Sequence, residues 1–251
     1  MNIEIIPSRE DYEQFLEMYP PQLSNKFLPE WYKNSGNKKP SQHAHFLHEV
    51  DLTQPPITIK SCPAVVDAVT EGIILPLWGN LDFTTLKNDK GEITAQHWDF
   101  TGRHINTGDI SQFIQFHTKN QLEDMPVEVL SNDSILKINM PYKIIVPEGY
   151  NIYYTDPFYH FRKSLRLLSG VVEADKWGYV TFVFEILEED FRLEAGEPFV
   201  QCFIYKRDEE KLNLTCRNGT QEEYEQSRKE HRELFISQKN YKTKNKWNLL
   251  Y

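Results

Sequence analysis

The chain has 251 residues, with 39% hydrophobic, 13% aromatic and 26% charged residues and a formal net charge of −9. That length holds one large domain, or a core domain with extensions, and the charged fraction is too low for wholesale disorder. A surface this acidic repels a phosphate backbone, so generic binding to nucleic acid is excluded.

In chain order, Ile3, Ile5 and Ile6 predict a short strand. "SREDYEQFLEMYP" predicts a short helix, with Ser8 as N-cap, acids in its first turn and Pro20 beyond its end. "PEWYKN" reads as one more helical turn, and the polar, proline-broken stretch after it as an extended loop. Residues 1–60 are thus expected to form an arm.

"SCPAVVDAVTEG" predicts a helix capped by Ser61, with Pro63 just inside and Gly72 closing it. Val65, Val66 and Val69 give it an apolar face. "IILPLWGNLDFTTL" predicts one strand kinked at Pro76, and "NDKGE" turns it back into "ITAQHWDFTG". From Ile110, turn signals alternate with short strands: "SQFIQFHT", "VEVL", "ILKINMPYKIIVP", "YNIYYTD", "LLSGVVEAD", "YVTFVFEIL", "FRLEAG" and "FVQCFIYKR". Strands at this spacing predict a mainly β core over residues 61–216, a sandwich or barrel. Residues 217–251 close the chain with a helix over 221–236, opened by a capping box of Thr220 and Glu223, and a lysine- and aromatic-rich tail.

Cys62, Cys202 and Cys216 lack metal-ligand spacing and read as free thiols in a reducing cytoplasm, Cys62 as a buried structural one. The N-terminal residues lack the features of a secretory signal, and no apolar run is long enough to span a membrane. "HWDF" places His97 and Asp99 on one strand face, the start of an iron facial triad if His104, His117 or His160 completed it. His43, His45 and His48 read as a solvated stretch. No metal site is assigned.

The order of segments around Gly170 is more specific. A Pro-x-Gly-Tyr turn at Pro147–Tyr150 is followed by Gly170, Val171, Val172, Glu173, Asp175 and Gly178, and then by Gly196, Glu197, Val200 and Gln201. Over about residues 138–207 this resembles the dUTPase and dCTP deaminase superfamily. That resemblance implies a β-clip, dUTPase-like core with an α-containing N-terminal arm and a C-terminal helix. It also implies a sugar-binding hairpin at Gly170–Gly178 and a trimer. On its pattern Glu173 and Asp175 are the catalytic candidates, and magnesium enters only with nucleotide hydrolysis. Arg162, Lys163, Arg166, Trp177 and Gln201 are the candidates for holding a nucleotide.

The departures from the family are informative. Where its Pro-Arg-Ser-Gly motif should follow Tyr150, the chain reads "TDPFYHFRKSLRLLSG". The glycine-rich C-terminal phosphate flap is absent, and a glutamate at 173 replaces the family's aspartate. The Pro-Glu-Trp-Tyr segment, "GIILPLW" and "GEPFVQCFIYKRD" also resemble an uncharacterised family of cyanophage and marine-phage proteins. This second resemblance implies a place in the host-cell cytoplasm or the virion. Together they predict a non-catalytic viral protein, a virion component or accessory factor that assembles as a homo-oligomer. A nucleotide-binding sponge and a nucleotide hydrolase with Glu173 as base are the alternatives.

Overall fold

A computed structural model of the chain describes residues 2–36, 58–101, 113–117, 119–122, 125, 135–207 and 214–230. The chain divides into two compact units, residues 1–27 with 72–207 and residues 28–71 with 208–251.

The first unit is mainly β, built as antiparallel sheets. One sheet has the order β1 (Glu4–Pro7), β7 (Ile135–Ile145), β11 (Tyr179–Ile186), β9 (Leu165–Leu167), with β6 (Ile114–Phe116) also paired to β7. A second runs β10 (Gly170–Glu173), β8 (Tyr150–Thr155), β13 (Pro198–Lys206), β3 (Ile73–Pro76), β2 (Gln22–Leu23). A third joins β12 (Phe191–Leu193), β4 (Asn80–Lys87) and β5 (Ile93–Thr101). Among the described residues no sheet closes on itself, so the expected barrel is not seen, while the mainly β reading is shown.

Period-two alternation builds the core. Phe182, Phe184 and Ile186 of β11 are fully buried, and Phe182 meets Tyr154, and Phe184 meets Phe199, of the second sheet at ring distances of 5.1 and 4.7 Å. Trp78 lies at the centre of an aromatic group with Phe100, Phe113 and Phe199. Residues 1–27, read as part of an arm, belong to this core: β1 pairs with β7 and Phe15 is fully buried.

The helix expected between Ser8 and Pro20 is a 3-10 turn at Glu10–Tyr12 followed by α1 (Glu13–Met18), and Ser8 does not cap it. Its amide instead donates to the Pro141 carbonyl. Pro141 itself sits mid-strand, where the β7–β11 register shifts between Tyr179 and Thr181. A bulge is the place in a sheet interior that tolerates a residue with no N–H.

Several predicted strands divide. "IILPLWGNLDFTTL" is β3 and β4 in different sheets, so Pro76 ends a strand rather than kinking one. "LLSGVVEAD" is β9 and β10, again in different sheets. From Tyr150 to Ile186 the chain alternates between the first two sheets as β8, β9, β10, β11. Gly170 begins β10 at an ordinary φ. A Cβ there would lie 2.6 Å from the Tyr154 hydroxyl, so close approach, not turn geometry, selects glycine.

In the second unit, α2 (Glu30–Asn34) and α3 (Pro63–Thr70) form as expected. Cys62, not Ser61, holds the N-cap position of α3, and its thiol is exposed rather than buried. Lys60 is buried and donates to the carbonyls of Lys33 and Ser35 at 3.3 and 3.1 Å, satisfying acceptors at the end of α2. Residues 221–230 are helical, and the capping box closes reciprocally: the Glu223 amide donates to Thr220 Oγ1 and the Thr220 amide to Glu223 Oε2. The Arg217 guanidinium first, and the Thr220 amide second, hold the Glu223 carboxyl down at about 2. No helix among the described residues is long and apolar enough to cross a membrane. "VEVL", the histidine loop and the C-terminal tail lie outside the described residues.

Candidate functional site

The segment that resembles the sugar-binding hairpin is not a hairpin. β10 pairs with β8, whereas β11 pairs with β7 and β9. Residues 174–178 therefore form a corner that carries the chain from one sheet to the other. The amides of Lys176 and Trp177 both donate to the Glu173 carbonyl, which closes the corner tightly. Ala174 is buried at its base.

Asp175 fastens this corner to the β7–β8 turn. One carboxylate oxygen accepts the Gly149 amide at 2.8 Å, at a residue with φ of 80° that a side chain would disfavour. Arg207, just after β13, grips both oxygens at 2.8 and 3.2 Å. The same guanidinium donates to Asn151 at 3.0 Å, and the Arg207 amide donates to the Gly149 carbonyl. A bidentate arginine and a backbone amide both favour the ionised acid. The Asp175 carboxyl is accordingly pushed down from 3.8 to about 2, by Arg207 first and Gly149 second. The sequence offered Arg207 only as the charge that ends a strand; its spatial neighbours lie 32 and 58 positions away, and no local pattern exposes such a pairing.

Glu173, at the end of β10, is ion-paired with Lys176 and lies 3.5 Å from Arg207. The hydrogen bond from Lys176 holds its carboxyl below the usual range. A carboxylate held in this way is a weaker proton acceptor than a free one. The sequence acids thus come together, and they come together with their counter-charges.

The proposed phosphate grips are dispersed. Arg162 is largely buried and spends its donors inside the protein, on Asp156, on the Leu165 carbonyl at 3.2 Å and on the Phe199 carbonyl at 3.2 Å. Its plane also lies over the rings of Phe184 and Phe199. Arg166 pairs across strands with Glu185, whose side chain is fully buried. Gln201 is buried; its carbonyl accepts the Phe158 amide at 2.9 Å and its amide donates to Ser24 at 3.3 Å. Lys163 is exposed.

Trp177 also faces solvent, at 69% exposure, with Tyr179 nearby at 60%. The Lys143 ammonium stands 5.6 Å from the Tyr179 ring centre, a cation over a π face. Cross-strand register places Ile6 of β1 and Tyr179 on either side of Lys143.

His97 and Asp99 project from one face of β5, but no group of three potential metal ligands assembles among the described residues. His104 lies outside them.

No family model and no curated protein matches this chain. Among solved structures it is similar to the native dUTPase of EIAV, at 15% identity and a TM-score of 0.29, over 56% of this chain and 99% of that one.

Proposed function

We propose that this chain is a non-catalytic viral protein, a virion component or accessory factor, built on a β core of the dUTPase kind. The observation that carries the reading is the corner at Glu173–Gly178. Both acids that resemble the family's catalytic pair are bound to cations of the same molecule, Lys176 and Arg207. Their arrangement joins two sheets and a turn, which is a structural task. Arg162 and Gln201, which could have held phosphates, are committed to the interior. Positioning a triphosphate supplies much of the rate in phosphoryl chemistry, and the family's positioning motifs are missing.

The test is release of pyrophosphate from dUTP, and of ammonia from dCTP, with magnesium present. No turnover above that of a Glu173→Gln variant is expected. Magnesium-dependent turnover that the variant loses would return Glu173 to the role of base.

A second reading, nucleotide binding without turnover, is favoured by Trp177 and Tyr179 standing exposed beside Lys143 and Lys176. Aromatic faces stack on bases, and lysines meet phosphates. On this reading dUTP raises the melting temperature of the wild type and not of Trp177→Ala in the same samples; no rise in either removes it.

A further inference from the structure

In a strand at the edge of a sheet, every second residue turns its N–H and C=O away from the neighbouring strand. β1, β9 and β10 each lie at such an edge, and they manage it differently. In β1 the Ser8 amide donates to the Pro141 carbonyl, so by alternation Ile5 and Pro7 face outward. Pro7 has no N–H to leave unpaired. In β9 the Leu168 amide reaches Val183 and the Ser164 carbonyl accepts Leu187, so Leu165 and Leu167 face outward. Side chains close that edge. The Leu167 amide donates to Asp156 at 2.9 Å, and the Leu165 carbonyl accepts Arg162 at 3.2 Å.

β10 has neither device. The Ala174 amide donates to the Tyr150 carbonyl, so Val172 and Gly170 face β8 while Val171 and Glu173 face outward. The corner takes the Glu173 carbonyl, through the amides of Lys176 and Trp177. The N–H and C=O of Val171 and the N–H of Glu173 find no hydrogen-bond partner among the described residues. Val171 itself is 53% exposed. Its side chain begins a row across the outer face of the second sheet, Val171, Tyr153, Phe203. The rings of Tyr153 and Phe203 are stacked 6.2 Å apart, and Phe158 packs on Phe203 at 5.8 Å.

We propose that the open edge of β10 receives an extended peptide segment of another protein as a further strand of the second sheet, with an apolar side chain opposite Val171. Backbone chemistry selects the occupant. A donor and an acceptor on one residue, then a donor two residues on, are the complement of a β-strand. The row selects the side chain, because the residue opposite Val171 extends Val171, Tyr153 and Phe203 by one position and is buried against them. Charge does not oppose the contact. Although the chain carries −9, Glu173 is matched by Lys176 and Asp175 by Arg207 beside this edge. The inference stands apart from the question of catalysis: turnover of dUTP would neither supply nor remove the edge.

The experiment selects random decapeptides displayed on phage against the full wild-type chain, then measures the selected peptides by fluorescence anisotropy. Apolar residues at alternate positions are expected in them. Val171→Pro removes an outward N–H that the fold does not use, so its melting temperature is expected to stay within about 2 °C of the wild type. Its affinity for the peptides is expected to fall about tenfold or more. A second measurement leaves the protein unchanged. N-methylation of the peptide at the residues that face β10 is expected to cost about tenfold, and at the intervening residues less than about twofold. Selection of no peptide by the wild type overturns the proposal, as does equal binding to Val171→Pro or a loss on N-methylation that does not alternate. A wild type that sediments as a dimer which Val171→Pro splits assigns the edge to a second copy and also overturns it.

Discussion

Arg162→Ala is expected to lower stability by roughly 3 kcal/mol, which for a chain of this size is about 6–12 °C in melting temperature. The substitution strands the Asp156 carboxylate and leaves the Leu165 and Phe199 carbonyls without their donor. It also removes the cation from the faces of Phe184 and Phe199. The loss lies at the low end for a broken buried pair because the Asp156 side chain keeps 35% of its exposure and the Leu167 amide. Arg162→Lys restores the charge but not the fork that serves three acceptors, so it recovers only part of the loss. Urea unfolding measures both. A loss below about 1 kcal/mol for Arg162→Ala would mean that the guanidinium is not the internal tie described here.

The second large effect belongs to Trp78. Its side chain is fully buried among Phe100, Phe113 and Phe199, at ring distances of 5.5, 5.9 and 6.3 Å. Trp78→Ala leaves a cavity that neighbours on several strands cannot fill together, and about 3–5 kcal/mol is expected to go. Trp78→Phe keeps a ring in place and gives up an indole N–H that has no hydrogen-bond partner among the described residues, so it costs much less. Equal losses for the two variants in urea titrations would contradict this account of the centre.

Much of the β unit was legible because burial writes a period of two into a strand. "YVTFVFEIL" gives β11, with Phe182, Phe184 and Ile186 inward, and the turn "NDKGE" gives the β4–β5 hairpin. The same pattern does not say which sheet a strand joins, since that depends on partners far along the chain. Hence "LLSGVVEAD" reads as one strand and is two, and the expected hairpin at Gly170–Gly178 is a corner between sheets. The site was legible to a similar depth. Acids at a strand mouth are visible in "GVVEADKWG", but whether they are free or matched is decided by Arg207. Arg162 and Arg166 look like surface charges in a line of sequence. Asp156 draws Arg162 inward when the sheets assemble, whereas Arg166 stays 55% exposed and pairs with the buried Glu185.

On the proposed function, Glu173 and Asp175 hold the corner together rather than move protons. A folded-state value of about 2 against 3.8 means that Asp175 stabilises the fold above the ordinary value, and that this contribution disappears as the pH falls toward 2. Carbon-13 NMR titration of the Asp175 carboxyl, in the wild type and in Arg207→Met, tests this most directly. A wild-type carboxylate that stays ionised down to about pH 2 is expected, and a variant whose midpoint moves up toward the ordinary range. A wild-type midpoint at or above 3.8, unmoved by Arg207→Met, would show an acid free to exchange protons and would contradict the structural role.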